Sequence, residues 1–230
     1  MNARDLSEPD LLALIRAELF TCVVGDVMDS LGFVHQYLPP HIRPLSPDMI
    51  VAGRAMPVLE ANYFAMAGDG QGPLSGEPFG IMLRALDDLK HDEVYVASGT
   101  TGSYAMWGEI MSSRAKKLGA AGAVIDGYVR DTHGIVRSGF ATFSQGSYGQ
   151  DQGARGKVVD FRVPVEIGQV RIEPGSILFG DIDGVLAIPK EAEREVIEKA
   201  LEKVRGEKTV SEKIRQGMSA QEAFAKYGIL

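Results

Sequence analysis

The chain has very little cysteine, since Cys22 is its only one among 230 residues. A single cysteine excludes an internal disulfide and a thiolate metal cluster. Cys22 lies in an apolar, helix-like segment, which favours a packing role over that of a nucleophile. The four histidines form no cluster with each other or with Cys22, so a zinc site is disfavoured.

Long hydrophobic runs and an excess of basic residues are also missing. No stretch approaches the roughly 18 uninterrupted apolar residues of a membrane-spanning helix, and the first residues, MNARDLSEPD, lack the apolar core of a signal peptide. The formal net charge is −7, whereas a nucleic-acid-binding surface is basic. We therefore expect a cytoplasmic protein whose partners include neither nucleic acid nor a membrane.

Several catalytic motifs are absent as well. There is no G-x-S-x-G nucleophile elbow and no Walker loop. Gly68 to Gly72 is not a dinucleotide motif, because its third glycine comes one residue early and Pro73 follows, so 68–80 is predicted to be a loop. All ten lysines lie in polar or helix-surface contexts, which disfavours a Schiff-base mechanism. Mg²⁺ or Mn²⁺, which need few protein carboxylates, remain compatible with the sequence.

The composition is that of an ordinary soluble domain, with 45% hydrophobic and 24% charged residues. Alternating helices and strands predict an α/β fold with neighbouring parallel strands. We predict one domain, 1–230, with a helical N-terminal segment (about 1–32) and a C-terminal helical tail (about 190–230). Within the strand predicted at 50–60, Pro57 indicates an edge or a bulge. The glycine- and serine-rich stretch 134–156, with its interleaved aromatic residues, is predicted to be irregular chain at a surface or subunit interface.

The stretch from Gly108 to Asp131 is where the chemistry is expected. It reads as a turn, a short helix ending at Gly119 and a short buried strand that runs into Arg130-Asp131. The first backbone N–H groups of a helix have no partner inside it and attract an anion. If helix and strand lie side by side, Arg130 and Asp131 return to the helix start, beside Glu109. Such a pocket suits a small carboxylic acid and one hard metal ion.

Each of these residues also has a simpler interpretation. An Arg-Asp pair is commonly a surface ion pair of small energetic value. An acidic residue such as Glu109 in the first turn of a helix commonly just complements the helix dipole. His133, two residues past Asp131, either contacts a ligand or has no role.

The residues around this stretch match a known family pattern. They are Ala105-Met106-Trp107-Gly108-Glu109, Gly119, Gly122, Val124, Asp126-Gly127 and Val129-Arg130-Asp131, followed by Pro174-Gly175-Ser176 and Gly180 to Val185. From about Thr21 to Pro189 the chain thereby resembles the RraA-like family. This family includes the 4-hydroxy-4-methyl-2-oxoglutarate and 4-carboxy-4-hydroxy-2-oxoadipate aldolases, which are class II pyruvate aldolases. The resemblance implies a layered sandwich of the swivelling β/β/α type, with a central mixed sheet flanked by helices.

The resemblance also implies an activity and its residues. It implies divalent-metal-dependent cleavage of a 4-hydroxy-2-oxo acid to pyruvate, with oxaloacetate decarboxylation as a side activity. Asp131 would bind Mg²⁺ or Mn²⁺, Arg130 would bind substrate and enolate, and Glu109 would handle the proton with a water. The substrate carboxylate would be held at the helix start by Gly108, Glu109, Ile110 and Met111.

Two positions depart from the family pattern, and two expectations extend it. Glu109 and Ser176 stand where the aldolases commonly have Asp, which bears on substrate choice. The family assembles as a homotrimer or hexamer, in which an acidic residue of a neighbouring subunit, for which Glu191 and Glu193 are candidates here, contributes to the site. The alternative function is that of relatives that bind and regulate RNA-degrading machinery without catalysis.

Overall fold

The computed structural model describes residues 6–64 and 70–228. Parts of the predicted N-terminal segment, of the loop 68–80 and of the C-terminal tail lie outside these residues. Within the described residues the helices are α1 (Glu8–Glu18), α2 (Thr21–Ser30), α3 (Met82–Asp87), α4 (Glu109–Leu118), α5 (Thr132–Ser138), α6 (Glu193–Arg215) and α7 (Ala220–Tyr227). None of the helices in this part of the chain is long and apolar enough to cross a membrane.

The strands form one large sheet and two small ribbons. They are β1 (Arg43–Pro44), β2 (Val51–Asn62), β3 (Glu93–Ser98), β4 (Ala105–Trp107), β5 (Gly122–Ile125), β6 (Tyr128–Val129), β7 (Thr142–Ser144), β8 (Gly156–Phe161), β9 (Val165–Ile167), β10 (Val170–Ile172), β11 (Ile177–Asp181) and β12 (Gly184–Ile188). The large sheet has the order β1-β7-β5-β3-β2-β11-β12, and β8 also pairs with β2. Strands β2, β3, β5 and β7 are parallel, whereas β1, β8 and β11 pair antiparallel with their neighbours. The predicted α/β fold with a central mixed sheet is confirmed.

Alternation along the strands separates the two faces of this sheet. In β2, Ala52 and Met56 face the helices, whereas Val51 and Ala55 face the opposite layer. Helices α1, α2 and α6 cover one half of the helical face and α3 and α4 the other. The β9–β10 ribbon packs on the opposite face. The structure is therefore layered as ribbon, sheet and helices.

Local signals in the sequence fix several elements. Ser7 caps α1, and Ser219 and Glu222 form a reciprocal capping box at α7. Gly119 ends α4 with φ 81°, a left-handed conformation that glycine adopts without steric cost. The hairpin predicted around Asp183-Gly184 joins β11 to β12.

Two sequence-based expectations were met only in part. Pro57 lies within the central strand β2 and not at an edge of the sheet. It fits there because the antiparallel partner of β2 changes from β11 to β8 between Arg54 and Val58, and an irregularity of the expected bulge type follows between Leu59 and Glu60. The stretch 134–156 is not uniformly irregular, since it contains most of α5 and all of β7. Its Phe140 and Phe143 are buried in the cores of the chain itself.

Two side chains also differ from expectation. Cys22 is exposed and its thiol faces Asp183, so it does not pack in the core. Lys157 is only 2% exposed, although its sequence context is polar. Its ammonium group donates to the backbone carbonyls of Leu74 and Ser75 and lies 4.2 Å from the centre of the Tyr63 ring. These contacts give Lys157 a structural role in holding the segment after residue 70.

A buried carboxyl lies near the end of β2. Glu60 is 1% exposed, and burial raises its pKa to about 8, with the nearby Tyr104 hydroxyl opposing part of the shift. Burial, together with the charge on Glu60, raises the pKa of Tyr95 and Tyr104. One carboxylate oxygen of Glu60 and both tyrosine hydroxyls have no hydrogen-bond partner among the described residues. Ionising Glu60 is therefore costly in the folded protein.

We expect Glu60→Gln to flatten the dependence of stability on pH. Below about pH 4.5, the ordinary pKa, both folded and unfolded chains hold the proton. As the pH rises from there to about 8, only the unfolded chain ionises, so the wild type loses stability, by a few kcal/mol in all at about 1.4 kcal/mol per pKa unit. Urea unfolding from pH 4 to 9 measures this slope, with the exposed Glu18→Gln as control. An unchanged slope in Glu60→Gln would contradict the assignment.

Candidate functional site

The β4–β6 ribbon brings the two ends of the central stretch together. Its strands are parallel, with Ala105 opposite Tyr128 and Trp107 opposite Val129. The backbone N–H of Arg130 donates to the carbonyl of Trp107 over 2.9 Å. Since parallel strands end on the same side, α4 begins next to Arg130 and Asp131. The sequence anticipated this meeting, although not the short strand β6 that produces it.

Gly108 makes the approach close. A Cβ atom at this position would lie 3.0 Å from Oδ2 of Asp131 and 3.5 Å from Cγ of Arg130. Any larger residue would press on the carboxylate of Asp131. Glycine here lets that carboxylate lie directly against the start of α4.

Side-chain hydrogen bonds hold the first turn of α4 in place, whereas no side chain caps its N-terminal end. The indole N–H of Trp107 donates to the Ser112 hydroxyl (2.7 Å), which in turn donates to the Gly108 carbonyl (3.1 Å). Trp107 is 1% exposed and packs against Tyr95, with ring centres 4.8 Å apart. No side chain caps the helix at Gly108. The N–H groups of Glu109, Ile110 and Met111 therefore stay available to an anion.

Asp131 has an unusual backbone conformation. Its φ of 56° and ψ of 30° lie in the left-handed region, where Asp and Asn are the commonest residues after glycine. Its carbonyl accepts the N–H groups of Gly134 and Ile135, whereas its side chain forms no cap on α5. The side chain is 44% exposed, so a ligand can reach its carboxylate.

Arg130 lies between two carboxylates. Its Nε is 3.6 Å from Oδ2 of Asp131, and its Nη1 donates to Oδ1 of Asp151. The other oxygen of Asp151 accepts the N–H of Gly153 over 2.8 Å, which fixes that side chain. Sequence reasoning missed Asp151, because no motif marks it in the glycine-rich segment that follows Ser147. Only the fold shows that it orients Arg130.

Glu109 points toward α5. A Cβ atom at Gly134 would lie 2.1 Å from the carboxyl carbon of Glu109, so this carboxylate rests on the backbone of the first turn of α5. Glu109 and the exposed His133 are not among the residues that line the two hollows beside Arg130. A proton-transfer role for Glu109 thus stays a prediction.

Two hollows meet at Arg130 and Asp131. The polar hollow has a volume of about 440 Å³ and is lined by Val129, Arg130, Asp131, Thr132, Ser147, Tyr148 and Gly149. The apolar hollow has a volume of about 250 Å³ and lies between α3 and the start of α4. Another hollow, of about 410 Å³, lies beside α2 and contains none of the predicted site residues.

The oxygen-rich side of the site fits a hard divalent ion. Asp131 stands next to the hydroxyls of Thr132 and Ser147, which are 2.7 Å apart. Among residues 6–64 and 70–228 no group of three or more His, Cys, Asp or Glu side chains could hold a metal. Mg²⁺ commonly binds through one or two carboxylates and keeps several waters, so Asp131 suits it, whereas a zinc site would need more ligands.

One acidic candidate from the sequence has another role. Glu193 binds Arg54 within its own chain, and Glu8 binds the same guanidinium. The side chain of Glu193 is 13% exposed, so it is committed to this ion pair between α1, β2 and α6. Glu191 is exposed.

Comparison with known proteins finds similar sequences and similar folds. The model of the RraA-like family (Aldolase/RraA) matches residues 21–187. A relative from Halalkalibacterium halodurans, named "Putative 4-hydroxy-4-methyl-2-oxoglutarate aldolase", is 28% identical over 95% of each chain. An uncharacterised protein from Pseudomonas syringae pv. tomato has a crystal structure with a TM-score of 0.82, at 26% identity over 96% of this chain and 95% of that one. Streptomyces coelicolor RraAS2, described as an unusual member of the RNase ES inhibitor RraA family, has a TM-score of 0.74 at 20% identity, covering 89% and 97%.

The chain belongs to the RraA-like family. The match spans the sheet, the β4–β6 ribbon and both ends of the central stretch. The structure with 20% identity supports the shared fold alone.

Proposed function

We propose that the protein is a divalent-metal-dependent aldolase that releases pyruvate from a 4-hydroxy-2-oxo acid, with oxaloacetate decarboxylation as a side activity. The observation that carries the proposal is the meeting of the uncapped α4 start, Arg130 and Asp131 across Gly108. Free N–H groups, a guanidinium and a carboxylate converge there on a space open to both hollows.

Both reactions pass through the enolate of pyruvate. Cleavage of the C3–C4 bond of a 4-hydroxy-2-oxo acid and loss of CO₂ from oxaloacetate each leave an electron pair at C3, which the neighbouring keto group receives. A Mg²⁺ or Mn²⁺ ion held by Asp131 would supply positive charge to stabilise the enolate oxygen.

The residues of the chain have separate roles in substrate binding and proton transfer. The N–H groups of Glu109 to Met111 hold the carboxylate of the substrate at the positive end of the helix. Arg130, oriented by Asp151, donates to the keto oxygen and to the carboxylate. Glu109 acts with a water to move the proton released from the C4 hydroxyl. Trp107 fixes the first turn of α4, so that these donors keep their positions.

Pyruvate release tests the proposal. The purified protein is assayed with oxaloacetate and with a panel of 4-hydroxy-2-oxo acids, in Mg²⁺, in Mn²⁺ and in EDTA. We expect pyruvate from at least one acid, lost in EDTA and restored by added metal. No pyruvate from any acid would overturn the proposal and favour a non-catalytic, protein-binding member of the family.

Arg130 should affect binding and turnover together. Because it binds the substrate both before and during enolate formation, Arg130→Ala should raise KM and lower kcat. Arg130→Lys should restore only part of the loss, since an ammonium group cannot reproduce the planar fork of donors. Steady-state kinetics on one pyruvate-forming substrate measures both constants. An Arg130→Lys enzyme equal to the wild type would mean that only the charge matters.

We further propose that the protein works as a homotrimer or hexamer. Phe224 on α7 and Ile182 in the turn between β11 and β12 are 59% and 54% exposed in the isolated chain, and such exposure of large apolar side chains favours contact with a neighbouring subunit. Light scattering at micromolar concentration measures the mass. A monomer would contradict this assembly.

A further inference from the structure

The apolar hollow adds a hydrophobic surface next to the charged residues of the site. Its walls come from α3 and the turn before it, from β4 and from the start of α4, and they are formed by Phe79, Met82, Leu83, Leu86, Met106, Trp107, Ile110 and Met111. Gly108, Arg130 and Asp131 also line it, so a molecule bound at the uncapped helix start extends directly into it. Its volume of about 250 Å³ is below the range of drug-sized sites, which suits a small substituent.

The charges around the hollow disfavour a second carboxylate. Arg130 is the only cationic side chain among its lining residues, and it already faces Asp131 and Asp151, which line the hollow as well. In the proposed function Arg130 also binds the 2-oxo acid group. A further carboxylate would enter an apolar space with two carboxylates at its base and no free cation, which is an unfavourable transfer from water.

Gln152 also lines this hollow. Its side chain is buried, with the residue 4% exposed, and its Nε2 has no hydrogen-bond partner among the described residues. Its backbone carbonyl accepts the N–H groups of Arg155 (2.6 Å) and Gly156 (3.0 Å), so a tight turn holds the residue in place. A buried amide without a partner costs free energy, and a rotation of the side chain that brings Nε2 from its buried position to an acceptor on a bound ligand would remove that cost.

We propose that the apolar hollow selects 4-hydroxy-2-oxo acids whose C4 carries an uncharged alkyl or aryl group, and that the Gln152 side chain turns on binding so that its Nε2 donates to the C4 oxygen. This inference rests on the proposed function. In the reaction the C3–C4 bond breaks and its electrons pass to the enolate of pyruvate. The C4 hydroxyl loses its proton and becomes the carbonyl of an aldehyde or ketone, and a proton then returns to C3. Atoms and charge balance without a further reactant.

A paired-substrate experiment tests the selection. We compare kcat/KM for 4-hydroxy-2-oxo-4-phenylbutanoate with kcat/KM for 4-hydroxy-4-methyl-2-oxoglutarate, at one Mg²⁺ concentration. The phenyl compound should be preferred by roughly tenfold or more, within the usual range for apolar pockets. Preference for the dicarboxylate would overturn the inference while leaving the aldolase function intact.

Variants at the exposed wall sharpen the test. Leu83→Arg adds a cation on α3 beside the hollow and should shift preference toward the dicarboxylate, whereas the uncharged Leu83→Gln should not. Gln152→Leu should raise KM for the phenyl substrate with little change in thermal stability, since it removes a donor that the protein itself does not use. An unchanged KM in Gln152→Leu would contradict its proposed contact.

Two further measurements distinguish a failure of this inference from a failure of the proposed aldolase function. Exchange of the methyl protons of pyruvate in D₂O with Mg²⁺ reports enolate formation alone, and its absence counts against the aldolase. Calorimetry with 2-oxo-4-phenylbutanoate and 2-oxoglutarate reports the selectivity of the hollow without turnover, and tighter binding of the phenyl acid supports the inference. Equal affinity for the two acids, together with loss of self-association in Leu83→Arg, would assign the hollow to contact with a second copy of the chain. That result would overturn the inference.

Discussion

Asp131→Asn should abolish metal-dependent pyruvate formation while the protein stays folded. Charge stabilisation by a bound divalent ion is worth several kcal/mol, so losing its protein ligand should lower kcat/KM by roughly 10²–10³-fold or more. Asparagine keeps the size of the side chain and tolerates the left-handed backbone at φ 56°, whereas alanine would add strain. The side chain is 44% exposed and caps no helix, so stability should change little.

Two control variants isolate the carboxylate. Asp131→Gly removes the side chain without backbone strain and should be as inactive as Asp131→Asn. Asp151→Asn removes the other carboxylate beside Arg130 and should raise KM while leaving the requirement for metal unchanged. Activity is measured against Mg²⁺ concentration, and folding by thermal unfolding. If Asp131→Asn keeps activity that EDTA still removes, Asp131 is not the metal ligand.

Glu109→Gln should lower kcat by roughly 10²–10⁴-fold with a smaller change in KM, the usual range for loss of a general acid or base. Glutamine is close in shape and can keep the contact with Gly134, so the start of α5 should be undisturbed. Glu109→Asp, which restores the residue common in the aldolases of this family, should stay active. Kinetics across pH, with and without metal, distinguishes these variants.

Gly134→Ala offers an independent perturbation of the same group. Its new methyl would occupy the position of the Glu109 carboxylate, which must then move, although the helical backbone of α5 accepts alanine. We expect a fall in kcat without loss of metal binding. If Glu109→Gln and Gly134→Ala both match the wild type, Glu109 only complements the dipole of α4.

Local signals explain what the sequence predicted well. The stop at Gly119, the capping box at Ser219 and the hairpin before Gly184 depend on a few adjacent residues. The meeting of Gly108 with Asp131 was also accessible, because a short helix followed by a strand returns the chain to its start. These are contacts within about two dozen positions of the chain.

Long-range packing explains what the sequence did not reveal. The residues next to Lys157 in the sequence do not predict its burial, because its hydrogen-bond partners, Leu74 and Ser75, lie more than 80 positions earlier. Asp151 and Gln152 join the site only because the chain after β7 passes back beside β4, where the N–H of Ala105 donates to the carbonyl of Gln150. The direction of Glu109 depends on α5, which sequence reasoning took for irregular chain.

Arg130 and Asp131 directly follow strand β6 of the β4–β6 ribbon, which is separate from the main sheet. β4 and β6 meet at two paired positions, whereas β2 and β3 pair over six. Short elements of this kind open at a lower free-energy cost than the sheet beneath them, independently of global unfolding. On warming, Arg130 and Asp131 should therefore drift from the α4 start while the sheet is still intact. Activity should therefore be lost at a lower temperature than the one at which the whole protein unfolds. The temperature of inactivation would measure the opening of the ribbon and not global unfolding.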